Sequence, residues 1–228
     1  MIVAGPHSGV GKTRAAEVAL FRLRGAGYAA IKLTVADEKR HAQARHGSSA
    51  ARLASEAGVC GRGASCGVCE TVSKDMPSRV ITAPGAIGKV GTDTWRLAQA
   101  GALAVVWVIA LRHAAPEALA RACTILHGAG ARGILIEGTS ALDWIDAKLC
   151  VMVATDPGKA WKDVALRRIN RCDIVLRNVM RRPPGTLPAP PEFTAMSPVA
   201  CDLERPADMG TLWYARQIQE RCGDSSVA

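Results

Sequence analysis

The chain has 228 residues, of which 49% are hydrophobic and 21% charged. That size and balance predict a soluble globular chain with one core and exclude a disordered polymer, and no apolar run approaches the ~18 residues of a membrane-spanning helix. Its 29 basic and 20 acidic residues leave a net charge of +9, which points to phosphate-rich or acidic partners, nucleic acid being only one of them.

Met1-Ile2-Val3-Ala4 reads as a short buried strand running straight into a glycine loop. With no basic n-region or cleavable apolar segment ahead of it, the chain is expected in the cytoplasm. The loop, Gly5-Pro6-His7-Ser8-Gly9-Val10-Gly11, leads into a helix over 12–24 on which Ala16, Leu20 and Leu23 recur at helical spacing, and Gly25 and Gly27 end that helix. A second buried strand over 28–34, with Lys32 near its end, completes a β–α–β unit.

A strand, a glycine loop and a helix opening on Lys-Thr form a Walker A phosphate site. Backbone N–H groups along Ser8, Gly9, Val10 and Gly11 converge on phosphate oxygens, and the helix N-terminus adds partial positive charge. Lys12 reaches the β- and γ-phosphates, and the Thr13 hydroxyl ligates Mg²⁺. Pro6 replaces the first glycine of the usual spacing, with Gly5 one residue earlier.

The pattern breaks over 35–84, a stretch rich in Gly, Ser, Ala and charge that reads as an insertion or excursion from the sheet. It carries Cys60, Cys66 and Cys69, each beside glycine. Cys-x2-Cys is a recurrent bite for Zn²⁺ or an iron–sulfur cluster, and a fourth ligand would come from His41, His46 or another chain. The alternative is a flexible loop of reduced thiols. Cys123, Cys150, Cys172, Cys201 and Cys222 are scattered, several of them in apolar runs, and are expected in the core.

Gly91-Thr92-Asp93-Thr94 precedes a helix to about residue 100, with Asp93 or Thr94 as its cap and Asp93 also a candidate catalytic carboxylate. Apolar runs over 103–111, 133–136, 150–153 and 173–176 alternate with helical stretches over 116–127 and 161–170. Alternation of this kind predicts an α/β fold, a mostly parallel sheet with helices on both faces.

The run over 133–136 ends in Glu137-Gly138. At the carboxyl end of a parallel strand, Glu137 faces the ligand crevice beside Lys12 and Thr13, where it holds Mg²⁺ or orients water; otherwise it is an exposed strand-end carboxylate. Lys32 points to the same crevice or is a solvated strand terminus. Asn178, just past the strand over 173–176, is a candidate base contact, but no guanine-reading Asn-Lys-x-Asp pattern is present, so GTP and ATP both stand.

Lys162, Arg167, Arg168, Arg171, Arg177, Arg181 and Arg182 face only Asp163 and Asp173 in their stretch, with Trp161 the one aromatic residue there. This reads as a solvated helix face or a surface for an acidic partner rather than nucleic-acid readout. The proline-rich stretch over 181–191 is expected to be extended and to lead to a C-terminal helix near 211–221.

In combination, the Ser8-to-Thr13 loop, the second strand ending Ile31-Lys32-Leu33-Thr34, the stretch Gly88-Lys89-Val90-Gly91-Thr92-Asp93-Thr94-Trp95-Arg96-Leu97-Ala98-Gln99-Ala100-Gly101-Ala102 and the strand ending Glu137-Gly138 resemble the molybdopterin-guanine dinucleotide biosynthesis protein B (MobB) family of P-loop NTPases. The similarity runs in order from Met1 to about Arg177, and the Gly-x-Asp-Thr helix closing in Ala-Gly-Ala is its more diagnostic piece. The resemblance implies a GTP-binding, Mg²⁺-dependent, slowly hydrolysing protein that forms a homodimer and assists a partner enzyme attaching GMP to molybdopterin. Thr34-Val35-Ala36-Asp37 stands where family members commonly carry histidines.

The loop is equally similar to cobyrinic acid a,c-diamide synthases and more distantly to dethiobiotin synthetase. Those likenesses imply an ATP-dependent enzyme that phosphorylates a substrate carboxylate, after which a nitrogen nucleophile displaces phosphate. A third reading is a metal-centre assembly factor, in which the cysteines bind cargo and the nucleotide controls release.

Overall fold

In the computed structural model, residues 1–36, 71–155, 161–179 and 190–223 are described. Their elements, in chain order, are β1 (Ile2–Ala4), α1 (Lys12–Arg22), β2 (Tyr28–Ala36), β3 (Ser78–Ile81), α2 (Pro84–Ile87), α3 (Asp93–Gln99), β4 (Val105–Leu111), α4 (Ala115–Gly128), β5 (Gly133–Glu137), β6 (Cys150–Ala154), α5 (Asp163–Arg168), β7 (Ile174–Asn178), α6 (Pro191–Ala195), β8 (Val199–Cys201) and α7 (Met209–Cys222). The eight strands form one sheet in the order β3-β4-β2-β5-β1-β6-β7-β8. All neighbours are parallel except β3 against β4, so the expected α/β architecture holds.

The period-2 alternation of side chains divides the strand residues between two cores. Ile2, Ile31, Val108, Ile136 and Met152 face a layer that includes Ala118, Leu119 and Leu126 of α4. Their neighbours Val3, Ala30, Val105, Leu135 and Val151 face α1, α3 and α7. Ala15, Ala16 and Ala19 let α1 lie close on that second face, and α7 is fastened to it by the buried Tyr214, whose hydroxyl donates to Ala15 O at 3.2 Å.

Several expected boundaries move. β2 continues to Ala36, so Lys32 sits mid-strand and not at its end. β3 lies inside the segment expected to leave the sheet over 35–84: the chain has returned by Ser78 and forms an antiparallel edge. The helix expected over 161–170 is α5 followed by a 3-10 turn at Ile169–Arg171, and β8 adds an unexpected parallel edge strand. The cap of α3 is Thr92, whose hydroxyl accepts from Trp95 N at 3.3 Å, while Asp93 and Thr94 lie within the helix.

Cys60, Cys66 and Cys69, with His41 and His46, lie outside the described residues, as do Arg181, Arg182 and most of the proline-rich stretch. Cys150, Cys172, Cys201 and Cys222 are buried free thiols, and Cys123 is half-buried. Among the described residues no helix is long and apolar enough to cross a membrane.

Candidate functional site

Residues 5–11 carry the chain from β1 across the carboxyl edge of the sheet into α1. Its glycines are demanded by geometry, Gly9 with φ +83° among them. Gly11 has φ +101°, and a Cβ at Gly5 would lie 2.6 Å from Val153 O and 2.7 Å from Val10 Cγ2. The Thr139 hydroxyl, just past β5, donates to Gly5 O at 2.6 Å and lies 3.0 Å from Gly5 N.

Asn178 ends β7 beneath the loop. Its Nδ2 donates to Val10 O at 3.1 Å, and its Oδ1 accepts from Leu203 N at 3.2 Å. The side chain expected near a base is thus buried, with both ends of its amide holding the loop to the β8 edge. Asn178→Ala leaves Val10 O and Leu203 N short of a partner and is expected to lower the unfolding free energy by about 2 kcal/mol or more, measured by urea denaturation.

Four side chains converge beside the loop. Lys32 and Glu137 are register partners on β2 and β5 and share the α1 face of the sheet. Lys32 is 5% exposed and Glu137 1%, so the alternatives of a solvated lysine and an exposed carboxylate are both overturned. The Lys32 ammonium lies 2.5 Å from Glu137 Oε1 and 2.5 Å from Asp93 Oδ2. The Thr13 hydroxyl lies 3.1 Å from Glu137 Oε2 and 3.1 Å from Asp93 Oδ1. Each carboxylate therefore spans lysine and threonine, and the single hydroxyl proton of Thr13 faces two acceptors.

Lys12 begins α1 and donates to His7 O at 2.6 Å. Burial pushes its pKa down from 10.5 to about 8; Glu137 opposes that shift, while Lys32 and Lys162 reinforce it. The structure thus brings Lys12, Thr13, Lys32, Asp93 and Glu137 together. Ser8, Gly9, Val10 and Gly11 form the loop above them.

The position of Asp93 is fixed by a network that motif reading missed. Arg96, on the next turn of α3, donates to both oxygens of Glu17 on α1 at 2.6 and 2.8 Å, and Glu17 also accepts from Arg14 at 2.9 Å. The Arg14 and Glu17 spacing on one helix was a legible pair, whereas nothing local marks Arg96 as the partner that locks two helices. Thr139 was also missed, although its place directly after Glu137-Gly138 was the available signal.

A hydroxyl and two carboxylates are hard oxygen donors that fit Mg²⁺ and not a soft metal. Among the described residues no three His, Cys, Asp or Glu side chains gather as a metal cage; Thr13, Asp93 and Glu137 are the groups that would hold Mg²⁺ here. A cavity of about 270 Å³, lined by Lys32, Thr92, Asp93 and Trp107 among others, opens at this cluster. Comparison with protein-family models, curated proteins and solved structures finds no match for this chain.

Proposed function

We propose that the chain is a Mg²⁺-dependent, GTP-binding P-loop protein with slow hydrolysis, acting as an accessory in molybdenum cofactor maturation. The observation that carries the nucleotide part is the convergence of Lys12, Thr13, Asp93 and Glu137 under a glycine loop at the carboxyl edge of a parallel sheet. Loop N–H groups and Lys12 hold phosphate oxygens, and Thr13 with the two carboxylates holds the cation. When bound, Mg²⁺ supplies Lewis-acid polarisation of the phosphates. Glu137, held between Lys32 and Thr13, orients rather than deprotonates water, which favours slow turnover. GTP preference, a homodimer and a molybdenum-cofactor partner enzyme rest on the family resemblance.

A second reading, ATP-dependent phosphorylation of a substrate carboxylate, is favoured by the 270 Å³ cavity beside Lys32 and Asp93, which has room for a small second substrate. Titration calorimetry with Mg²⁺ separates the two. The first expects GTP to bind more tightly than ATP, with both lost in EDTA; ATP binding at least as tightly transfers support to the second. No binding of either nucleotide overturns both.

A further inference from the structure

We propose that the groove between α1 and α7 is a docking site for an acidic amphipathic helix of a partner protein. A cavity of about 620 Å³ lies there, and its apolar wall includes Val18 and Phe21 of α1 and Leu212 and Ala215 of α7. These are i, i+3 pairs, so each helix presents a short ridge along its own axis. Phe21 is 60% and Leu212 49% exposed. The core uses a different stripe of α1, Ala15, Ala16, Ala19 and Leu20. Val18 is partly buried at the edge of that core and Phe21 stands outside it, so the row carries the apolar surface from the core out to solvent, and two helices with a trough between them offer the seat that a third helix fills.

Charge selects the occupant. Arg14, Arg22, Arg24, Arg96 and Arg216 line the groove against the single carboxylate of Glu17. That carboxylate is already held by Arg14 and Arg96, and at the rim Glu204 and Glu220 meet Arg14 and Arg216. The arginines still outnumber these acids. Arg22 is exposed and, among the described residues, has no ionic partner, while Arg24 lies 4.6 Å over the Phe21 ring and hydrogen-bonds to Ala100 O and Gln99 O. An acidic helix with an apolar stripe answers both features: its stripe covers Phe21 and Leu212, and its flanking carboxylates take Arg22 and the rim. A second copy of a chain with net charge +9 brings like charge to the groove, and a concave trough does not match a flat bilayer.

The test uses two synthetic peptides of the length of α7, 14 residues, with leucines at helical i, i+3, i+4 spacing and either glutamate or lysine elsewhere. Calorimetry without nucleotide keeps the outcome independent of the nucleotide reading. The glutamate peptide is expected to bind at least about tenfold more tightly than the lysine peptide, and to lose at least about tenfold with Phe21→Asp or Arg22→Glu. Both positions are exposed, and circular dichroism confirms that the variants fold. Equal affinity for the two peptides, no binding of either, or variants that bind unchanged overturns the proposal. So does a concentration-dependent dimer abolished by Phe21→Asp, which makes a second copy the occupant. Phosphatidylserine vesicles that bind the chain but not Phe21→Asp make the occupant a membrane and overturn it as well.

Discussion

Replacing Lys12 by methionine lowers nucleoside triphosphate affinity by about a hundredfold at pH 7, since a hydrogen bond to a charged group is worth up to about 3 kcal/mol. The same substitution stabilises the ligand-free fold, because Lys12 is a half-buried cation whose pKa is depressed by desolvation to about 8. In the unfolded chain the lysine keeps its proton to about pH 10.5; in the folded chain it releases it near 8. The cost of the buried charge is therefore fully present below pH 8 and is relieved as the pH rises from 8 towards 10.5. Its upper bound is about 3 kcal/mol, reduced because part of the side chain still meets solvent.

Nucleotide binding has the opposite dependence. Below pH 8 the ammonium is already formed and affinity is flat; above it the chain must take up a proton to bind, and affinity falls by up to about tenfold per pH unit. Titration calorimetry from about pH 7 to 9.5, beside urea unfolding, reads both. Lys12→Met is expected to flatten the affinity profile and raise the unfolding midpoint. A variant that binds weakly and is also less stable at pH 7 contradicts this account.

The β–α–β unit and its loop were legible because they are local. Gly5, Gly9, Gly11 and the Lys12-Thr13 pair follow one another, and the apolar period of α1 needs no distant partner. The crevice position of Glu137 followed from a general rule about parallel strands. Lys32 was harder to read, since a lysine in an apolar strand is tolerated only when carboxylates reach it, and Glu137 lies 105 residues away. Asn178 carries no local mark of what it braces, because its partners are Val10 and Leu203. The Thr92 cap was misassigned among three adjacent capping-type residues because the choice rests on which one turns its side chain back to Trp95 N. β3 was hidden by its length and by the composition around it: four residues at a sheet edge give too little alternation to stand out.

Lys32→Met is expected to cost about 3–5 kcal/mol of stability at neutral pH, as removing one partner of a buried ion pair does. Asp93, with its side chain 39% exposed, can turn to solvent, whereas Glu137 at 1% cannot. The uncompensated charge is therefore chiefly that of Glu137. Glu137→Gln placed on the same background removes it, and the double variant is expected to recover most of the loss, a coupling that a double-mutant cycle measures directly. If the double variant is as unstable as Lys32→Met alone, the lysine contributes through packing and not through charge.

Mg²⁺ provides an independent arm of the same experiment. Without the Lys32 ammonium, Thr13, Asp93 and Glu137 become an oxygen site whose two negative charges have lost the cation 2.5 Å from each. Millimolar Mg²⁺ is then expected to raise the thermal midpoint of Lys32→Met by more than it raises that of the unaltered chain, because a ligand stabilises in proportion to its preference for the folded state. The double variant, with one carboxylate removed, should lose that extra gain. Equal Mg²⁺ responses in all three chains would separate the carboxylate pair from Mg²⁺ binding.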